Sequence, residues 1–420
     1  MNARFLRSAA AGAVLLSLAS CYGDDNTCCG PLQPAFTIPN SIAIADVNGD
    51  GVPDLLVAAT IEQGGFLNPG QATVILGKSP AGSFQTGVSY PTTGANPASI
   101  AVADLQGSGN KWDLVVANFS SGSVTVFLHG ATAASGYQAG VDYVTGGSPN
   151  MVAAAPLSGT GPADIVVADA SVSGNVIILP HDSSTPGQHF GTPQMLPTGA
   201  TTSGVAIADL NGDGVPDIVA STYDANGNNG AVLVFLQSKA SPGTFATPVN
   251  YPAGAQPQAV RAVDLRGKGV MDLVVANLGP GTDGTGSSGV SVLLQSSTTP
   301  GTFTGFAAPV PYATASGTVD VQAAPLTGGL PDIVTANEGP APTGSVSVLL
   351  HNAATPGTFN AATTYPGMGQ PLAVAIADLN GDKCPDIAVA DSPTATVLLQ
   401  GAPSGGTCPG TFAAPVQVGQ

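Results

Sequence analysis

One phrase recurs seven times along the chain. In its fullest form it is a short apolar run, an aspartate, a tight glycine-rich loop, a second aspartate and a run such as Leu-Leu-Val-Ala-Ala. Its first loop position falls at Asp46, Asp104, Pro156, Asp209, Asp264, Pro325 and Asp378, at intervals of 58, 52, 53, 55, 61 and 53 residues. A period of this size signals a solenoid, a propeller or an array. Each unit offers four short strands separated by turn residues. In the fourth unit these are Val205 to Ala208 (strand A), Ile218 to Ala220 (B), Val232 to Phe235 (C) and the stretch around Val249 to Tyr251 (D). Even spacing of short strands with periodic glycine and aromatic marks predicts an all-β, seven-bladed β-propeller of four-stranded antiparallel blades. A β-helix fits less well, because its rungs are much shorter than this repeat. No blade needs to share strands between the chain ends, so ring closure is expected from packing of blade 7 against blade 1.

Composition agrees. Only 8% of the 420 residues are charged, 43% are hydrophobic, and Gly 56 and Pro 36 supply the turns. The apolar content argues against a disordered chain. Nine Lys and Arg against 26 Asp and Glu, for a net charge of −17, exclude nucleic acid as the natural partner. The acids are lopsided: 24 are Asp, and the only Glu are Glu62 and Glu338. Asp favours turns and hard-metal sites, whereas Glu favours helices.

Most of that Asp lies in the recurrent loop. Three copies read D-x-N-x-D-x-x-x-D: Asp46, Asn48, Asp50, Asp54; Asp209, Asn211, Asp213, Asp217; and Asp378, Asn380, Asp382, Asp386. Positions 1, 3 and 5 put three side-chain oxygens on one side of a curled loop. Position 7 adds a backbone carbonyl (Val52, Val215, Cys384) and position 9 a carboxylate. This set predicts about three Ca²⁺ sites, since Ca²⁺ takes 6–8 hard oxygen ligands in flexible geometry. An EF-hand is excluded, because position 12 is Val57 and the flanks read as strands. The other four loops decay in order. Loop 2 keeps Asp104 and Asp113 around Gln106, Ser108 and Lys111. Loop 5 keeps Asp264 and Asp272, with Arg266 and Lys268 in positions 3 and 5, so a protein cation is expected to replace the metal there and pair with both carboxylates. Loops 3 and 6 keep only Asp164 and Asp332. The order full, partial, empty, full, partial, empty, full suggests a three-blade unit duplicated once, plus a seventh blade.

The D-x-N-x-D-G-x-x-D loop followed by Pro-Asp and an apolar run resembles the FG-GAP/VCBS repeat family, whose propellers include the integrin α-subunit head. The resemblance covers about residues 34–420. It implies a calcium-binding loop between strands A and B of a blade. No clean Phe-Gly…Gly-Ala-Pro tag is present, so the wider bacterial VCBS-like branch is the better match.

The first residues read as an address. Arg4 and Arg7 precede an apolar stretch, Ala9 to Ala19, that is too short to span a bilayer. Leu18-Ala19-Ser20-Cys21 resembles the bacterial lipobox. It implies a lipoprotein signal over 1–20, acylation of Cys21, a tether over 21–33, and an outer-membrane or cell-surface location. Export permits disulfides. Cys28, Cys29, Cys384 and Cys408 allow three pairings. Cys384 and Cys408 fall on loops at the same end of blade 7, which makes their bridge geometrically reasonable.

No catalytic constellation stands out: G-x-S-x-G, H-E-x-x-H and P-loop patterns are absent. His129, His181 and His351 share one repeat position with Gln237, Gln295 and Gln400, read as exposed strand ends; His189 reads as surface. Trp112 is expected to pack a hairpin. Strand B ends in Asn118, Asp169, Thr222, Asn277, Asn337 and Asp391, and Tyr90, Tyr251 and Tyr365 lead toward the same face, a candidate recognition face. The expected function is a surface-anchored, calcium-stabilised binding or adhesion module for an unknown protein or glycan ligand. The alternatives are a lyase or hydrolase acting on envelope polysaccharide, and a structural subunit of an envelope complex.

Overall fold

Alternation of buried apolar residues with turn-forming Gly, Asp and Pro cuts the chain into short strands, and hairpin connections pair them in order. The computed structural model describes residues 36–63, 66–78, 82–109, 112–130, 136–184, 189–279, 288–339 and 343–418. Cys21, the signal and tether segments, Cys28, Cys29 and Lys111 lie outside the described residues. The described chain is all β, in seven four-stranded antiparallel sheets with no helix.

Blade 1 comprises Phe36–Ala45, Asp54–Gln63, Phe66–Ile75 and Val88–Ala95, with a small extra hairpin, Gly77–Lys78 and Ser83–Phe84, after strand C. Blade 4 comprises Thr201–Ala208, Asp217–Tyr223, Ala231–Phe235 and Val249–Pro252, somewhat longer at strands A and B than the apolar runs suggest. Blade 7 ends the ring with Ala373–Ala377, Asp386–Ala390, Ala395–Leu398 and Val416–Val418. Every blade takes its four strands from one continuous stretch. The ring therefore closes by packing: Ile42, Val57 and Ala59 of blade 1 share a buried cluster with Ala373, Ala388 and Val397 of blade 7.

Strands B and C are buried along nearly their whole length, whereas strand D is largely exposed. On the outside, an aromatic belt joins neighbouring blades. The strand-D tyrosine meets the aromatic residue of the next blade's C–D turn edge to face: Tyr90 with Tyr137 at 5.4 Å, Tyr251 with Phe306 at 5.3 Å, and Tyr365 with Phe412 at 5.6 Å. These tyrosines join blades instead of serving a recognition face. The Phe after three recurrent Pro-Gly-Thr turns bridges back to the end of strand C, Phe245 to Gln237, Phe359 to His351 and Phe412 to Gln400; in blade 5 Phe306, three residues past the turn's Phe303, takes that place against Gln295.

Strand A lines the axis. In six blades it carries a bulge near its start, for example between Pro39 and Ser41 and between Pro257 and Ala259. A bulge bends the strand and re-aims side chains. The bulged residues tie one blade to the next: Asn40 donates to the Pro97 carbonyl at 2.6 Å, Asn150 to the Ser203 carbonyl at 2.6 Å, and Ser203 to the Pro257 carbonyl at 2.5 Å.

Candidate metal loops and the axial channel

The A–B hairpin of each full loop curls around its first aspartate. Asp46 Oδ1 accepts from the Gly49 and Asp50 amides at 2.7 and 3.1 Å, and Oδ2 from the Gly51 amide at 2.8 Å. Asn48 Oδ1 accepts from the Asp50 amide and Asp50 Oδ1 from the Val52 amide. Asp209, Asn211 and Asp213, and Asp378, Asn380 and Asp382, repeat this pattern with Val215 and Cys384 in the place of Val52. Gly49 and Gly51 hold φ of +73° and +82°, which glycine adopts without strain and which makes so tight a curl possible. In the third loop Lys383 occupies the same left-handed region at +76°.

Position 9 has a role that spacing alone did not reveal. Its carboxylate is a buried clamp in all seven blades. Asp54 Oδ2 accepts from the Val47 amide and Oδ1 from the Gly77 amide. Asp217 joins the Leu210 and Gln237 amides, and Asp386 the Leu379 and Gln400 amides, in the same way. One side chain thus ties the A–B loop to the end of strand C, which explains why the second aspartate persists where the rest of the motif is lost.

The seven clamps differ in one respect. Every blade with a degenerate loop supplies a side-chain donor to this carboxylate, from the loop itself in blades 2 and 5 and from the end of strand C in blades 3 and 6. Gln106 Nε2 reaches Asp113 at 2.7 Å. Arg266 grips Asp272 through Nε at 3.1 Å and Nη2 at 2.7 Å. His181 Nδ1 meets Asp164, and His351 Nδ1 meets Asp332, each at 2.8 Å. Asp54, Asp217 and Asp386 have backbone donors only. Burial and the neighbouring carboxylates, opposed in part by those amides, push each of these three up to about 6.

Several expectations need correction. Arg266 pairs with Asp272 but does not bridge both carboxylates, since Asp264 accepts only backbone amides, those of Arg266, Lys268 and Gly269. The strand-C ends are not exposed: His129, Gln237, Gln295 and Gln400 are buried and His181 and His351 half-buried, because their amides serve the clamp. The strand-B ends are buried too. Asp169 accepts from the Ser148 and Ser171 amides, and Asn118 donates to Thr125, so they staple turns and leave no open recognition row. Trp112 is 42% exposed and does not pack away; its carbonyl accepts from the Tyr137 hydroxyl at 2.9 Å. His189 is exposed, as read.

Cys384 and Cys408 form a disulfide with Cα atoms 5.5 Å apart. The bond anchors position 7 of the third full loop to the C–D turn.

The donor chemistry of the full loops, three carboxylates and an amide oxygen each, suits a hard cation. Among the described residues, no three His, Cys, Asp or Glu side chains stand together as a ready-made metal group. The loop oxygens accept from the loop's own backbone amides.

The axis holds polar residues that no repeat motif marks. A channel of about 430 Å³ runs between the A strands. Arg261 of strand A in blade 5 (Pro257–Val263) places Nη2 3.0 Å from Asp320 Oδ1 on strand A of blade 6 (Thr318–Ala324). With its amide oriented to satisfy both groups, Gln322 accepts from Arg261 Nε and Nη2 at 3.2 Å each. The signal was present in sequence. Where the A strands of blades 1, 2, 4 and 7 read Ile-Ala-Ile-Ala, Ile-Ala-Val-Ala or Val-Ala-Ile-Ala, these read Ala-Val-Arg-Ala-Val and Val-Asp-Val-Gln.

The fold and the loops together define a seven-bladed propeller with aspartate-rich A–B hairpins. The chain carries FG-GAP-type repeats: the FG-GAP-like repeat family matches residues 157–220 and 329–389, and the FG-GAP repeat family matches residues 39–75. All three full loops fall inside these segments, and the first two segments occupy equivalent positions three blades apart. No curated protein matches the chain in sequence. Among solved structures, a candidate 6-phosphogluconolactonase from Bacteroides fragilis NCTC 9343 superposes with a TM-score of 0.53 at 15% identity, over 80% of this chain and 86% of its own. An exotype rhamnogalacturonan lyase gives 0.48 at 13% identity, over 85% of this chain and 71% of its own. The first likeness shows the fold alone, and the second carries no argument.

Proposed function

We propose that the chain is a calcium-stabilised recognition module, displayed on a bacterial surface through a lipid on Cys21. The observation that supports calcium is the census of donors at position 9. Four of the seven clamps receive a side-chain donor from the protein, and the three that lack one are those whose loops keep every oxygen of the motif. Asp46, Asn48, Asp50 and Asp54 would hold one ion, with the Val52 carbonyl. Asp209, Asn211, Asp213, Val215 and Asp217 would hold the second, and Asp378, Asn380, Asp382, Cys384 and Asp386 the third. Bound Ca²⁺ supplies fixed positive charge that offsets the carboxylates and braces the hairpin. The ring then acts as a rigid scaffold whose surface takes a protein or glycan ligand.

The test compares thermal unfolding of the chelated protein with and without added CaCl₂. Binding to the folded state alone raises the transition with the logarithm of ligand concentration above the Kd. A rise that is lost when Asp46, Asp209 and Asp378 are together replaced by Ala supports the reading, and an unchanged transition contradicts it. Labelling of the intact chain with radioactive palmitate, lost in Cys21→Ser, tests the anchor.

A further inference from the structure

The axial channel combines two unlike walls. Blades 5 and 6 contribute Arg261, Asp320 and Gln322, while blades 1 to 3, across the ring, contribute Ile42, Ile100 and Val152. Strand A is also an edge strand of its sheet, so it turns unpaired backbone groups toward the axis. Some of these are met by the neighbouring blade: Ser41 Oγ accepts from the Ile100 amide, Ser99 Oγ from the Val152 amide, and Asp320 Oδ2 from the Val374 amide. The charged and amide side chains Arg261, Asp320 and Gln322 thus stand on one side, and the other side mixes Ile42, Ile100 and Val152 with Asn40, Ser41, Ser99 and Asn150. Its volume lies within the roughly 300–1,000 Å³ of small-molecule sites.

We propose that this channel binds a neutral polyhydroxylated ligand, a single sugar ring, with its hydroxyls on Arg261, Asp320 and Gln322 and its apolar edge on the opposite wall. The inference rests on the reading of the chain as a recognition module and names the ligand class. Charge decides against an ionic ligand. Arg261 and Asp320 neutralise each other, and an added buried charge would have no counterpart. A hydroxyl group both donates and accepts, which matches a carboxylate beside a guanidinium. Arg261 Nη1 has the Val260 carbonyl at 3.0 Å and otherwise only the weak acceptor Met151 Sδ at 3.8 Å, so a hydroxyl oxygen improves on the latter contact. The Gln322 amide can rotate to offer its NH₂ group to a second hydroxyl. Asn40 and Asn150 line both the channel and a smaller pocket that also takes in Phe119 and Leu372.

The experiment is calorimetric titration of the calcium-saturated full chain with methyl glycosides of D-galactose, D-glucose and D-mannose and with L-rhamnose, using D-glucuronate as the charged counterpart. At least one neutral sugar is expected to bind in the millimolar range or better. Asp320→Asn keeps an acceptor for the Val374 amide, and Gln322→Leu keeps the volume, so both should fold with unchanged far-ultraviolet dichroism. Each is expected to weaken binding at least about tenfold, the cost of one hydrogen bond to a charged or buried group. The proposal is overturned if no neutral sugar binds at tens of millimolar, if glucuronate binds better than every neutral sugar, or if both folded variants bind as the parent does. Calcium dependence is read separately by thermal unfolding, so either reading can fail alone.

Discussion

At the residue scale, the position-9 aspartate does more than its place in a metal motif implies. Asp217→Ala removes the acceptor of two buried amides, Leu210 and Gln237, and is expected to cost about 3 kcal/mol even with chelator present. Chemical denaturation of the chelated variant checks this. Arg266→Met strands the fully buried Asp272 carboxylate and is expected to cost about 3–5 kcal/mol, more than Lys268→Met, whose side chain serves no clamp. The three unpaired clamps also set a pH dependence. A carboxyl held near pH 6 in the folded chain binds its proton more tightly than in the unfolded chain. In chelator, stability conferred by that proton is complete below pH 4 and is lost as pH rises through about 6. Thermal unfolding of the metal-free protein from pH 5 to pH 7.5 is expected to show a falling transition, and calcium is expected to remove most of that fall.

At the scale of the hairpin and the blade, the disulfide joins residues 24 apart. By the loop-entropy argument it restricts the unfolded chain by about 3 kcal/mol, so reduction should lower the transition without dissolving blade 7's sheet. A scan with and without reductant reads the difference. The hairpins were legible in sequence because each strand is a short apolar run bounded by Asp, Gly or Pro, and the seven A–B loops share one register. What sequence did not reveal was direction. Tyr90 and Tyr251 looked like face residues, yet they pack on the next blade, because strand D is an outer edge and its inward side meets a neighbour. Asn118 and Asp169 looked like open loop polar groups, yet burial at the end of strand B turns them to stapling. Arg266 was legible as a replacement for metal, but its pairing with one carboxylate, Asp272, was not, since a backbone curl already occupies Asp264. The His181–Asp164 and His351–Asp332 pairs were invisible because they join loop A–B to strand C across 17 and 19 residues.

At the scale of the molecule, the threefold order in sequence reappears as physical pairing. Blades 2 and 5 meet the clamp from loop position 3, with Gln106 and Arg266. Blades 3 and 6 meet it from the end of strand C, with His181 and His351. Blades 1, 4 and 7 have backbone donors alone. The same device is thus used in blades three apart, as duplication of a three-blade unit predicts. Superposition of blade 1 should agree better with blade 4 than with blade 2 or 3. No repeat motif marks the channel because its chemistry lies on strands from different blades, Arg261 and Asp320 being brought together only by packing of blade 5 against blade 6.

The most direct measurement of the central claim is a calcium titration of the metal-free chain by calorimetry, paired with metal analysis of the dialysed protein. The account predicts three sites, falling to two when Asp209, Asp213 and Asp217 are replaced by Asn. No calcium bound, or a stoichiometry unchanged by that replacement, would contradict it.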